Sequence, residues 1–217
     1  HAWIDDWTMK GPNLNNLKLR ASGPEFSYDM VLSAKGPLVF HGTGGYSVKS
    51  TDGQASYYYS QPFYQIGGTL RLPDGEVEVT GEAWLDREWS SQPLSEKQLG
   101  WEWFSLAFKD GAKLMGFQLR QKDGETFSAG TWIASDGKTV SYPDGRFLAE
   151  PLKMSEVSGR TIPTEWWVSL PGNGVGVKVI ALNPQAWMDL SIPYWEGPVS
   201  FSGSHEGKGY LEMTGYE

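Results

Sequence analysis

The chain has no cysteine and only three histidines, His1, His41 and His205, among 217 residues. Without cysteine there is no disulfide framework and no thiolate chemistry, and the redox compartment stays open. So few histidines argue against a histidine-rich metal centre, and no metal or other cofactor is expected. Positive charge is also scarce: 18 Lys and Arg against 26 Asp and Glu give a net charge of -8. No basic stripe exists to neutralise phosphates, which excludes nucleic acid as a partner. No apolar run approaches the roughly 20 residues of a membrane-spanning helix, and the N-terminus carries no signal-peptide pattern. Helical periodicity is nearly absent as well.

Aromatic residues are abundant instead, with 11 Trp, 10 Tyr and 9 Phe. Short alternating runs such as LKLRA, EVEVTGEAWL, KLMGFQLR and GVGVKVIAL succeed one another. Between them lie turn signals: PDG at 73–75, KDG at 109–111 and 122–124, SDG at 135–137 and PDG at 143–145. This spacing predicts an all-β chain, as sandwich or barrel. Such an excess of rings builds β-core, and it also suits a cavity for a flat or greasy ligand.

The polar stretch 90–98, SSQPLSEKQ, reads as a linker between domains 1–97 and 98–217. Two sets of strings repeat across it. VEVTG at 77–81 is echoed by LEMTG at 211–215, with Tyr58-Tyr59 and Tyr194-Trp195 upstream. Further back, residues 5–21 resemble residues 165–181. The second copy has Trp101 to Glu165 ahead of its match, and the first copy has no equivalent. The first domain is therefore expected to lack about 60 to 70 opening residues. Its sheet should be open, covered by a separate N-terminal fragment, a second copy or the second domain, which should itself be a closed barrel.

The chemistry-bearing candidates cluster in three places. In GEAWLDREWSS, 81–91, an extended strand puts Glu82, Trp84, Asp86 and Glu88 on one face and Ala83, Leu85, Arg87 and Trp89 on the other. An aspartate desolvated beside tryptophan favours its neutral form and can protonate a double bond or an epoxide. The alternative is a rim of charges in which Arg87 pairs one acid. In GWEWFSLAF, 100–108, Trp101 and Trp103 share a face, and Glu102 is expected at the surface end of its strand. In PYWEG and GYLEMTGY, Tyr194, Trp195, Glu196, Tyr210 and Glu212 offer rings and acids to a pocket or to the surface. His41, in FHGTGGYSVKS, is expected to be a hydrogen-bonded loop residue. That loop lacks the spacing of a phosphate-binding motif.

Taken in order, HGTGGYSVKS, SYYYS, VTGEAWLDREWSS, GWEWFSLAFKDGAKLMGFQLR, PYWEG and GKGYLEMTGY resemble the AttH-like/carotenoid 1,2-hydratase family over essentially the whole chain. The resemblance implies two lipocalin-like β-barrel domains with a ligand cavity at or near their interface. It also implies members that begin before His1. The Y-x-D motif of the carotenoid hydratases falls on Trp84 and Asp86, and their H-x-W motif falls near Tyr57 and Tyr59. The acid is kept, while the histidine is a tyrosine and the tyrosine a tryptophan.

The expected catalytic residues are therefore Asp86, Tyr57 and Tyr59. The expected ligand-binding residues are Trp84, Glu88, Trp101, Trp103, Tyr194, Trp195, Glu196, Tyr210 and Glu212. The expected partner is a hydrophobic, isoprenoid- or polyene-like small molecule. The expected activity is metal-independent acid-catalysed hydration, hydrolysis or cyclisation. The alternatives are a noncatalytic carrier linked to an envelope ABC-transport system, and a carbohydrate-binding tryptophan platform. The resemblance further implies export to the periplasm, cell envelope or exterior.

Overall fold

The computed structural model describes residues 1–92 and 95–216. Pro93 and Leu94, inside the expected linker, lie outside the described residues. The described chain is all-β apart from one 3-10 turn at Pro171–Asn173. No helix in it is long and apolar enough to cross a membrane, which says nothing of a membrane β-barrel.

The first sheet contains β1 (Ala2–Ile4), β2 (Trp7–Asn13), β3 (Asn16–Gly23), β4 (Phe26–Ala34), β5 (Val39–Phe40), β6 (Tyr46–Val48), β7 (Ala55–Leu72) and β8 (Gly75–Trp89). Its order is β1-β2-β3-β4-β7-β5, with β6 and β8 also paired to β7. The sheet is open, and its edge strand β1 exposes Trp3 and Ile4.

The second sheet contains β9 (Gln98–Phe108), β10 (Lys113–Gln121), β11 (Thr126–Ile133), β12 (Thr139–Tyr142), β13 (Leu148–Val157), β14 (Arg160–Leu170), β15 (Val175–Ala181), β16 (Trp187–Met188), β17 (Tyr194–Gly203) and β18 (Gly207–Met213). Its order is β12-β11-β10-β9-β18-β17-β15-β14-β13, with β16 on β17. The path of pairing thus starts at β12 and stops at β13.

Four of the five Asp-Gly signals fall between consecutive strands and the one at 73–75 ends on Gly75, the first residue of β8; each glycine has a positive φ, from 75° to 137°. Such a φ favours glycine in a tight turn. Four of the turns close pairs of neighbouring strands. The fifth, at 143–145, joins β12 to β13, the two ends of the order.

Five strands recur in the same hydrogen-bonded order, β2-β3-β4-β7-β8 in one sheet and β13-β14-β15-β17-β18 in the other. The VEVTG and LEMTG strings fall in the matching last strands. Residues 5–21 and 165–181 are one strand out of step, lying on β2-β3 and β14-β15.

Contacts group the chain into two compact units. One joins His1–Val39 with Tyr59–Arg87, and the other joins Phe40–Tyr58 with Glu88–Glu217. The sequence reading places the boundary at 97/98, whereas residues 40–58 pack with the second unit. The first unit has a small core of Leu17, Leu32 and Tyr64, with Ala83 and Leu85 packed against it. The second has a large one that includes Phe104, Leu106, Phe147, Trp166, Val177 and Trp195.

Candidate functional site

In the first unit the alternation of β8 decides which face carries chemistry. Ala83 and Leu85 pack on the core, so Trp84 and Asp86 point to the other side of the strand, where both are half-buried. The Asp86 carboxylate is held by its own strand and by the adjacent one. Trp84 Nε1 donates to Asp86 Oδ1 at 2.8 Å, and the Ser60 hydroxyl of β7 donates to the same oxygen. Ser60 is fully buried. Tyr59, one residue before Ser60, is half-buried. Glu82 lies at the exposed end of the row and accepts from Gln65 at 3.2 Å.

In the second unit, Tyr57 and Tyr58 point opposite ways. Tyr57 is 57% exposed and stacks on Trp89, with ring centres 5.9 Å apart. Tyr58 is buried: its hydroxyl accepts from Trp103 Nε1 at 2.9 Å, and its ring centre lies 4.2 Å from that of His41. Glu88 is an ion-pair residue here, with Lys49 Nζ 2.7 Å from its Oε1 and the Ser56 hydroxyl donating to the same atom. The Lys49 ammonium also lies 3.9 Å from the centre of the Phe117 ring, a cation–π contact.

His41 is the loop residue that the sequence suggests, and it is fully buried. Its Nδ1 is 3.0 Å from the Thr131 hydroxyl. Burial, and then the charge of Lys49, push its pKa down to about 3, so the imidazole is neutral at ordinary pH.

Trp101 and Trp103 of β9, Tyr194 and Glu196 of β17, and Tyr210 and Glu212 of β18 share the face of the sheet opposite the core. Trp101 Nε1 donates to Glu212 Oε1 at 2.6 Å, and the Trp101 ring meets Tyr194 edge-on. Glu196 and Glu212 are cross-strand partners, and Tyr210 donates to Glu196 at 3.4 Å. Burial and the neighbouring Glu196 push the Tyr210 phenol up to about 12. Burial, with Glu212 and Glu196, raises that of Tyr194. Both therefore stay protonated donors. Trp195, their neighbour in sequence, faces the other way, into the core, and donates to the Pro184 carbonyl at 2.8 Å.

Glu102 corrects the sequence reading. Far from a surface strand end, it is 0% exposed. It accepts from Gln118 Nε2 at 2.9 Å, Arg120 Nε at 2.6 Å and the Tyr216 hydroxyl at 2.8 Å.

Sequence reasoning also missed a cavity of about 470 Å³ in the second unit. One wall is the loop and strand that contain Gly42, Thr43 and Tyr46. The other is the face of β10 and β11 bearing Phe117, Phe127 and Ala129. The opposite face of the same strands is filled: a Cβ on Gly116 would stand 2.2 Å from the Phe147 ring. The void therefore lies outside the packed core. Its signal in the sequence was the glycine-rich HGTGG string, read there only as a loop.

The family model described as AttH-like matches residues 1–216. Among solved structures, one described as an AttH from Nitrosomonas europaea superposes with a TM-score of 0.91 at 31% identity. That match covers 99% of this chain and 69% of the other. Kievitone hydratase from Nectria haematococca superposes with a TM-score of 0.81 at 18% identity, over 99% of this chain and 70% of that one, and shows the fold alone. No curated protein matches.

Proposed function

Because the chain belongs to the AttH-like family, with two lipocalin-like β domains, we propose that it binds a hydrophobic small molecule and acts on it by acid catalysis through Asp86. The observation that carries this reading is the Asp86 carboxylate, fixed at one oxygen by Trp84 Nε1 and the Ser60 hydroxyl. A catalytic acid needs a defined position, and those two donors supply it. Protonation of a double bond by the Asp86 carboxyl generates a carbocation that water can capture, the extra proton of that water returning to the carboxylate, which is hydration. Capture by a second double bond of the same molecule is cyclisation. The Trp84 ring beside the acid stabilises positive charge as it develops. No step in this scheme passes through a metal.

The likeness to kievitone hydratase supports the fold of such an enzyme. A second reading, a noncatalytic carrier serving an envelope transport system, is favoured by the cavity in the second unit, which lies among residues of the other unit from Asp86. Either role suits an exported protein.

Asp86→Asn separates the two. The amide oxygen still accepts from Trp84 and Ser60, so position is kept while the transferable proton is removed. Turnover of a substrate should fall by orders of magnitude with ligand affinity nearly unchanged. If turnover survives the change, Asp86 is not the acid, and a carrier shows no response at all.

A further inference from the structure

The HGTGG loop builds a wall that the acid chemistry does not use. Gly42, Gly44 and Gly45 all have positive φ, so the chain turns sharply after His41 and returns as β6. Two ties hold this turn over β11 and β12. His41 Nδ1 is bonded to the Thr131 hydroxyl, and the Ser141 hydroxyl donates to the carbonyl of the next residue, Gly42, at 2.9 Å. Beneath it the wall is apolar, with Met115, Phe117, Phe127 and Ala129.

The mouth differs in chemistry. Ser141 and Asp144, both exposed, line the cavity there, and among the described lining residues Asp144 is the one that carries a charge. Its Oδ1 accepts the Ser128 amide at 2.8 Å. The nearby Lys49 ammonium, against the Phe117 ring, is paired with Glu88, so a fatty carboxylate or a phosphate ester brought to Asp144 meets repulsion. A hydroxyl or an ammonium group can donate to Asp144. At the roughly three-quarters packing density of protein interiors, 470 Å³ takes a molecule of about 15 to 20 non-hydrogen atoms.

We propose that this cavity is a ligand site for a neutral or cationic, mainly apolar molecule of that size, with its hydroxyl or amine end at Asp144. The inference rests on the hydrophobic-ligand reading above and narrows it. A long polyene does not fit whole, and an acidic lipid is rejected.

The test uses N-phenyl-1-naphthylamine, an uncharged fluorescent probe of the right size, with the full chain. Ala129→Phe fills the cavity from the sheet, and Thr43→Trp fills it from the exposed loop side, where the fold tolerates bulk. Each should weaken probe binding at least tenfold while circular dichroism and the melting temperature stay near wild type. If one variant misfolds, the other decides. In competition, 1-dodecanol should displace the probe from wild type at least tenfold better than dodecanoate, and Asp144→Asn should shrink that gap. Equal probe binding by wild type and both filled variants overturns this site and leaves the hydrophobic-ligand reading standing. No probe or dodecanol binding at all overturns both. Equal displacement by dodecanoate overturns the charge rule.

Discussion

Glu102 has no contact with water, and three donors converge on its two oxygens. One of them, Arg120, also donates to the Thr214 carbonyl at 2.6 Å and lies over the Tyr216 ring. The acid thus ties the C-terminal residues to β9 and β10. Deleting one member of a buried pair leaves the other uncompensated, at a cost of about 3–5 kcal/mol. Glu102→Ala should lower unfolding stability by about that amount in urea titration, and Glu102→Gln, which keeps one acceptor, by less. An unchanged midpoint for Glu102→Ala would contradict the assignment. His41 makes a prediction about pH. Its folded pKa near 3 is below the unfolded value near 6.5, so the unfolded chain binds the extra proton between those values. Stability from this residue is therefore complete above about pH 6.5 and declines by up to about 1.4 kcal/mol per pH unit toward pH 3. His41→Gln should flatten that part of the stability–pH curve, measured by denaturant titration from pH 7 to pH 4. The pairing of Trp84 with Asp86 was legible in the sequence because strand alternation puts i and i+2 on one face. Ser60 was not, because it reaches Asp86 from 26 residues away across a strand pair. Glu102 was misread for the same reason: Gln118, Arg120 and Tyr216 meet it only after β9 pairs with β10 and the C-terminus returns.

Strands and turns were more legible than side-chain partners, since their signals are local. Each Asp-Gly pair marks a place where a positive φ is needed, and all five sit where one strand gives way to the next. Pairing order depends on distant contacts instead. That is why VEVTG and LEMTG land on matching strands while residues 5–21 and 165–181 are offset by one. It is also why the turn at 143–145 joins the two ends of the second sheet's pairing order. The cavity was invisible because it depends on which face of β10 and β11 is filled. Gly116 on β10 makes room for Phe147, which is fully buried. A methyl group added there meets the ring at 2.2 Å, and Phe147, packed among Phe104 and other core residues, has little space to retreat. Gly116→Ala should therefore destabilise the protein by about 1–3 kcal/mol despite the better strand former it introduces. Chemical denaturation measures this, and a neutral or stabilising result would mean that Phe147 moves freely.

At the scale of the whole molecule, the two units differ in how much apolar surface they hide. The second has a continuous core running from Phe104 through Trp166 to Trp195 and Met213. The first has a smaller cluster around Leu17, Leu32 and Tyr64, with a fringe of half-buried side chains. Each fully buried aliphatic or aromatic side chain contributes about 1.5–3 kcal/mol, so the second unit draws more on apolar burial than the first. Regions with few buried contacts open first, by sub-global unfolding. Amide hydrogens of β2, β3 and β4 should accordingly exchange at lower denaturant than those of β9, β10, β14 and β15. Two substitutions sharpen the expectation. Leu32→Ala, in the small core, should speed exchange in β2–β4 and leave β14 and β15 as they were. Val177→Ala, in the large one, should lower the protection of β14 and β15. Hydrogen-exchange mass spectrometry on the full chain resolves both sets of strands. If Leu32→Ala loosens β14 and β15 as much as β3 and β4, the protein unfolds as one cooperative body, and the difference in core size does not set its order of opening.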